Sequence, residues 1–298
     1  MVSPLSCHTF SRDAAYFHYA HHAMPDRTLA ALPMNPASSL LPSLPTPYRA
    51  LVIGHTGGLG SAFIEHLRAD PRCSLVVGIG RRAGGVCWAR DQAEGSGPHA
   101  PAVSGLLPEG LHLDLGQEAS ISAAAQALRA WGPWHLILVA TGVLHEGAAI
   151  QPEKRLADLQ AGSLRAVLEV NTVGPAMVLR HFGPQLERTR SLMGLLSAKV
   201  GSIGDNRLGG WYAYRASKAA LNMLVKTASI ELRRTHPGAV LASLHPGTVR
   251  SGLSRPFRGD EIGRPAEAAT ADLLHQLDRL TADDTGTFLA YDGQRLPW

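Results

Sequence analysis

From residue 48 onward, short and almost wholly apolar runs alternate with stretches of helical periodicity. Ala50–Ile53, Ser74–Ile79, His135–Ala140, Met193–Ser197, Val240–Leu244 and Thr287–Ala290 have the length of buried strands. Gly110–Leu113 is a weaker candidate of the same kind. Between them, Leu59, Phe63 and Leu67 recur at i, i+4 and i+8, and Ile121, Ala125 and Leu128 at helical spacing. Longer helical stretches are expected from Pro152 to Glu187 and from Tyr212 to Arg233. Strands that alternate with helices predict βαβ units and a parallel sheet with helices on both faces. The strands carry few polar positions because both faces are covered. Gly84–Pro108 is rich in glycine and proline and reads as a surface loop.

The pattern fails before residue 48. Residues 1–47 hold seven of the 20 prolines and only four charged residues. This composition predicts an extended, unpacked leader, ahead of one catalytic domain over 48–298. The leader lacks the basic and apolar regions of a secretory signal. An organelle transit peptide, a simple tail, or a start at Met24 or Met34 are the alternatives. His18 and His22 stand at i, i+4, but two histidines fall short of the four ligands of a structural zinc site.

Composition narrows the partners. The formal charge of +4 over 298 residues is a weak field, without the basic stripe of a nucleic-acid binder. Cys7, Cys73 and Cys87 form neither a disulfide framework nor a CxxC pair, so a reducing, cytoplasmic compartment is expected. No apolar run approaches the length of a membrane span.

Directly after the first apolar run comes Gly54-His-Thr56-Gly57-Gly58-Leu59-Gly60, followed by the Phe63 and Leu67 helix. A strand, a glycine turn and a helix N-terminus together make a pyrophosphate site of the Rossmann type. The second run ends in Gly80-Arg81-Arg82. A carboxylate there would bind the ribose 2′-OH of NAD(H). Two guanidiniums suit a 2′-phosphate and point to NADP(H), with NAD(H) as the alternative.

Tyr214 and Lys218 stand at i, i+4, one face of a helix. A tyrosine's ordinary pKa near 10 is too high for acid–base work at neutrality, and a nearby ammonium, together with the positive charge of an oxidised nicotinamide, favours the phenolate. The glycine spacing together with Tyr214-Arg-Ala-Ser-Lys218 resembles the short-chain dehydrogenase/reductase family. In detail the resemblance is closest to the branch of the C-factor protein and the sniffer-type carbonyl reductases, through Ala198-Lys-Val-Gly-Ser-Ile, Gly209-Gly-Trp-Tyr-Ala-Tyr214 and the ending Tyr291-Asp-Gly-Gln-Arg-Leu-Pro-Trp298.

The resemblance implies a doubly wound, single-domain fold and further site residues. Asn171, in Glu169-Val-Asn-Thr-Val-Gly174, would support a proton-relay water. Asp114, before Leu115, would accept from the adenine. Ala140, Thr141 and Gly142 occupy the family's Asn-Asn-Ala-Gly turn. Pro246, Gly247 and Val249 would cup the carboxamide. The family's active serine falls on Ala198, which leaves Ser197, or else Ser202, to polarise the carbonyl. The implied reaction is NADP-dependent reduction of a ketone or aldehyde, or oxidation of the corresponding alcohol. The small-molecule substrate would meet the loop Thr248–Gly263, and relatives suggest a homodimer or homotetramer. The competing implication is a nucleotide-binding signalling protein with little turnover.

Overall fold

The computed structural model describes residues 39–89 and 107–298. Seven strands, β1 (Tyr48–Ile53), β2 (Cys73–Ile79), β3 (Val86–Ala89), β4 (Leu136–Val139), β5 (Ser191–Leu196), β6 (Ala239–His245) and β7 (Thr287–Ala290), form one sheet in the order β3-β2-β1-β4-β5-β6-β7. All neighbours run parallel except β2 and β3. The chain reverses its direction of travel across the sheet between β1 and β4. Ligands of such sheets bind in the crevice at that switch point, beyond the carboxyl ends of the strands.

Two apolar layers cover the sheet. Ile121 of α2 (Glu118–Ala127), Val178 and Phe182 of α4 (Gly174–Phe182), and Leu221 and Val225 of α5 (Tyr212–Leu232) pack on one face. Phe63 and Leu67 of α1 (Gly58–Ala69), with Leu273, Leu274 and Leu277 of α7 (Ala266–Asp278), which follows the short α6 (Gly259–Ile262), pack on the other. The alternation along β5 and β6 follows the pleat: Met193 and Leu241 face the first layer, Leu192 and Val240 the second.

Four expectations change. The Gly110–Leu113 run is not a strand; Leu113 N–H donates to Gly80 O at 2.8 Å, and the chain then turns. The edge place is taken by β3, antiparallel to β2, from within the expected loop. The stretch 152–187 is not one helix. It holds α3 (Ala161–Leu168), a π-turn over Glu169–Val173, and α4. Last, the compositional boundary at residue 47 is not the edge of the packed chain. Leu41 and Leu44 are buried among the α1 and α7 side chains. Arg72 holds the carbonyls of Leu41 and Leu44, and Asp278 accepts from Ser43 through its backbone and hydroxyl. Residues 1–38, with the leader's histidines, lie outside the described residues, as do 90–106. Among the described residues, no helix is long and apolar enough to cross a membrane, and no group of side chains has the make-up of a metal site.

Candidate active site

The glycine turn between β1 and α1 is built by close approach. Gly54 has φ +91°, a left-handed backbone that glycine adopts without strain. A Cβ on Gly60 would lie 2.1 Å from Gly54 O, so the helix starts against the turn only if residue 60 has no side chain. Gly57 is the N-cap of α1 but supplies no side-chain cap, which leaves the first-turn amides pointing outward. Thr56, Gly57 and Gly58 are exposed, and Leu59 is half-buried. The turn therefore keeps the geometry of an anion cradle.

His55 was not singled out by sequence, yet it fills the space between this turn and the end of β2. A Cβ on Gly78 would lie 2.8 Å from His55 Cβ, and one on Gly80 would lie 3.6 Å from its Nδ1. That Nδ1 is buried without a hydrogen-bond partner among the described residues, as is Thr141 Oγ1 across the turn. Arg81 and Arg82 follow as exposed side chains, and neither is ion-paired among the described residues. Asp114 is half-buried. Its carboxylate accepts from Gly116 N–H at 3.0 Å and from the Gln117 side chain, fixing the turn before α2. Leu115 packs against Gly174, whose Cβ would lie 2.5 Å from Leu115 Cβ.

The groups of opposite chemistry meet at the carboxyl end of β4. A Cβ on Gly142 would stand 3.4 Å from Lys218 Nζ and 3.5 Å from Asn171 Oδ1. Asn171 is wholly buried in the π-turn. It accepts from Val143 N–H and donates to Val143 O, each at 2.8 Å, and donates to Ser217 Oγ at 3.1 Å. Ser217 in turn donates to Tyr214 O at 2.8 Å. A buried chain of hydrogen bonds thus joins the β4 turn to α5 through a serine that sequence reasoning passed over. Its signal was its place directly before Lys218. Such π-turns recur at functional sites because the extra residue re-aims one side chain.

Tyr214 and Lys218 are both buried, with Nζ 5.8 Å from the phenol ring centre. Lys218 Nζ donates to Leu196 O at 2.9 Å. Burial pushes the lysine down to about 8 and pushes the tyrosine above its ordinary value. Within the chain alone, desolvation thus opposes both charges.

Ser197 is placed elsewhere. It is 4% exposed and its hydroxyl donates to Asn222 Oδ1 of α5 at 2.7 Å. The side chain points under the helix, as the alternation of β5 dictates. Ser202 is likewise engaged, with the Trp298 carbonyl and Asp205 N–H. Neither hydroxyl hydrogen-bonds Tyr214 among the described residues. Ser197→Ala therefore leaves a buried amide without its partner. It is expected to lower the unfolding free energy by about 1–3 kcal/mol in denaturant titrations and to change kcat only a few-fold. A loss near 10²-fold in kcat at unchanged stability would return Ser197 to the reacting carbonyl.

Beyond β6, Pro246 and Gly247 turn the chain. Gly247 has φ +75°, and a Cβ there would lie 2.8 Å from the Tyr291 ring. Val249 is buried and forms a bridge with Arg264. Ala140 N–H donates to Ile53 O at 2.8 Å, which ties the β4 turn to β1. The glycine turn, the β4 turn and the Tyr214–Lys218 pair therefore share the crevice at the carboxyl ends of the strands.

Comparison with known proteins agrees with this arrangement. A short chain dehydrogenase family profile matches residues 48–262. The chain is 36% identical over 135 residues to 1-hydroxy-2-glutathionyl-2-methyl-3-butene dehydrogenase of Rhodococcus sp. (strain AD45), a match covering 45% of this chain and 58% of that protein. It is 33% identical over 144 residues to C-signal of Myxococcus xanthus, covering 48% and 83%. Among solved structures, carbonyl reductase Sniffer of D. melanogaster superposes with a TM-score of 0.66 at 22% identity, covering 85% of this chain and all of that one. NADPH-bound carbonyl reductase from chicken fatty liver gives 0.65 at 21%, covering 88% and all of that chain. With the profile spanning most of its length, the chain belongs to the short-chain dehydrogenase family of oxidoreductases.

Proposed function

We propose that the protein is an NADP-dependent carbonyl reductase, also able to oxidise the corresponding alcohol. The observation that carries this reading is the convergence of Lys218 Nζ and Asn171 on Gly142, beside Tyr214 and at the mouth of the glycine turn. NADPH, when bound, supplies the hydride. The first-turn amides of α1 would hold its pyrophosphate, Arg81 and Arg82 its 2′-phosphate, and Asp114 its adenine. Val249 and the Pro246–Gly247 turn shape the carboxamide end. Lys218 holds the ribose, and its ammonium stabilises the phenolate left when Tyr214 protonates the alkoxide oxygen. Asn171 fixes the Val143 backbone and, through Ser217, the start of α5. The Rhodococcus relative is named as a dehydrogenase of a hydroxy compound, which fits the oxidation direction.

Cofactor choice is tested by thermal shift. NADPH is expected to stabilise the chain at concentrations where NADH does not, because two charge-assisted contacts to a phosphate outweigh one ribose hydroxyl by about tenfold or more in affinity. Replacing Arg81 and Arg82 together by alanine removes the difference. Equal stabilisation of the native chain by both cofactors would overturn the NADP assignment.

A second reading rests on Ala198. Ser197 and Ser202 are engaged with Asn222 and with the Trp298 carbonyl, and Ala198 stands at the family's serine position, which would suit a nucleotide-binding regulator with little turnover. Tight NADPH binding without reduction of any carbonyl in a broad panel would favour it.

A further inference from the structure

The residue that opens α5 has an unusual backbone. Trp211 is its N-cap with φ 52° and ψ 45°, left-handed, and follows Gly209 and Gly210 at φ 66° and 65°. A bulky L-residue keeps that conformation only where its surroundings hold it. Glu153 holds it here. This residue is 4% exposed. Its carbonyl accepts from Trp211 N–H at 2.6 Å, and its carboxylate Oε2 accepts from Ala213 N–H at 3.2 Å. One residue thus satisfies two first-turn donors of α5.

The held indole faces chemistry. Its ring meets the Tyr214 ring edge-on, with centres 6.2 Å apart and planes at 79°. The Phe257 ring also lies 5.1 Å from the indole, delivered by the loop that follows the Pro246–Gly247 turn. His145, from the β4 turn, packs against Phe257 at 5.8 Å, and its Nε2 lies 3.1 Å from Gly252 O. Three separate segments thus bring flat rings into one row that ends at Tyr214. Leu208 and Tyr212, which flank Trp211 along the chain, are exposed and extend the apolar surface.

We propose that Glu153 is a positioning residue: by locking Trp211 in the left-handed conformation it builds an aromatic wall beside Tyr214 that selects carbonyl compounds bearing a flat, apolar ring. The inference rests on the reading of Tyr214 as the proton donor to a carbonyl substrate. Edge-to-face and offset contacts between aromatic groups favour an aryl ligand over its saturated counterpart of like size, by roughly three- to tenfold. A saturated ring fills similar space but lacks the quadrupole that meets the indole edge.

The test compares acetophenone with cyclohexyl methyl ketone on the full chain saturated with NADPH. Binding is read by thermal shift and turnover by NADPH absorbance. The native protein is expected to favour acetophenone three- to tenfold in both KM and binding. Trp211→Gly, whose backbone suits the left-handed site, loses that preference while NADPH affinity is unchanged. Glu153→Ala keeps the main-chain bond to Trp211 N–H but removes the carboxylate from Ala213 N–H, and is expected to lose the preference likewise; Glu153→Gln, which retains an acceptor for Ala213 N–H, keeps it, and retention of the preference in Glu153→Ala overturns the role given to Glu153. Retention of the preference in Trp211→Gly, or its absence from the native protein, overturns the proposal. Should Glu153→Ala not fold, the Glu153→Gln and Trp211→Gly pair decides: loss in both overturns the role given to Glu153. Selective binding without turnover of either ketone supports the wall and overturns the carbonyl-reductase reading alone.

Discussion

Tyr214→Phe is expected to lose between about 10² and 10⁴ in kcat for carbonyl reduction, the range ascribed to a positioned acid–base group. The substitution removes one oxygen and keeps the ring. The ring is what packs, because Tyr214 is buried and meets the Trp211 indole edge-on. No hydrogen bond from the phenol oxygen to another described residue accompanies that burial, so the variant should fold and melt as the native chain does. Its affinity for NADPH should also stand, since the proposed cofactor contacts come from the glycine turn, Arg81, Arg82 and Lys218. A fall in kcat at constant cofactor affinity isolates the proton transfer. Native-like turnover by Tyr214→Phe would remove Tyr214 from the reaction and favour a regulator that merely binds nucleotide.

Much of this site was legible in the sequence, for reasons that lie in particular residues. Gly54 and Gly60 announce themselves because their positions exclude any side chain, so spacing alone carries the geometry. Tyr214 and Lys218 do so because helical periodicity fixes which residues share a face. The strands were legible because burial on both faces leaves them nearly all apolar. What failed to show depends on distant partners. Nothing local says that Ser197 turns to Asn222, twenty-five residues on, or that Ser217 completes a chain from Asn171 to Tyr214. Leu41 and Leu44 looked like part of an unpacked leader because proline and serine surround them. Arg72 and Asp278, which hold that segment, come from elsewhere in the chain. The break of the long helix at Glu169–Val173 was hidden because a π-turn keeps the helical pattern while inserting one residue. Nor does any local pattern mark Glu153, which is buried at the head of α5.

Lys218→Met is expected to destroy activity and yet stabilise the fold near neutral pH. Lys218 is 2% exposed, and burial lowers it from 10.5 to about 8. A lysine whose folded pKa lies below its unfolded value binds protons more tightly when unfolded, so protonation favours unfolding. That penalty is absent above pH 10.5. It grows as the pH falls towards about 8 and is constant below. Its full size is on the order of 3 kcal/mol, at about 1.4 kcal/mol for each unit of displacement. Methionine is similar in length and carries no charge, so it escapes this cost. It gives up the hydrogen bond to Leu196 O, which returns about 1 kcal/mol of the gain. The variant is therefore about 1–3 kcal/mol more stable than the native chain at pH 7 in denaturant titrations. The advantage shrinks between pH 8 and 10.5 and reverses above, where only the lost hydrogen bond remains. Turnover falls at least about 10²-fold, because the phenolate left after proton transfer has lost its neighbouring ammonium. A variant less stable than the native chain at pH 7, or a stability difference independent of pH, would mean that the buried ammonium is fully compensated in the fold. The expected pattern instead marks Lys218 as a residue kept for chemistry against the preference of the core around it.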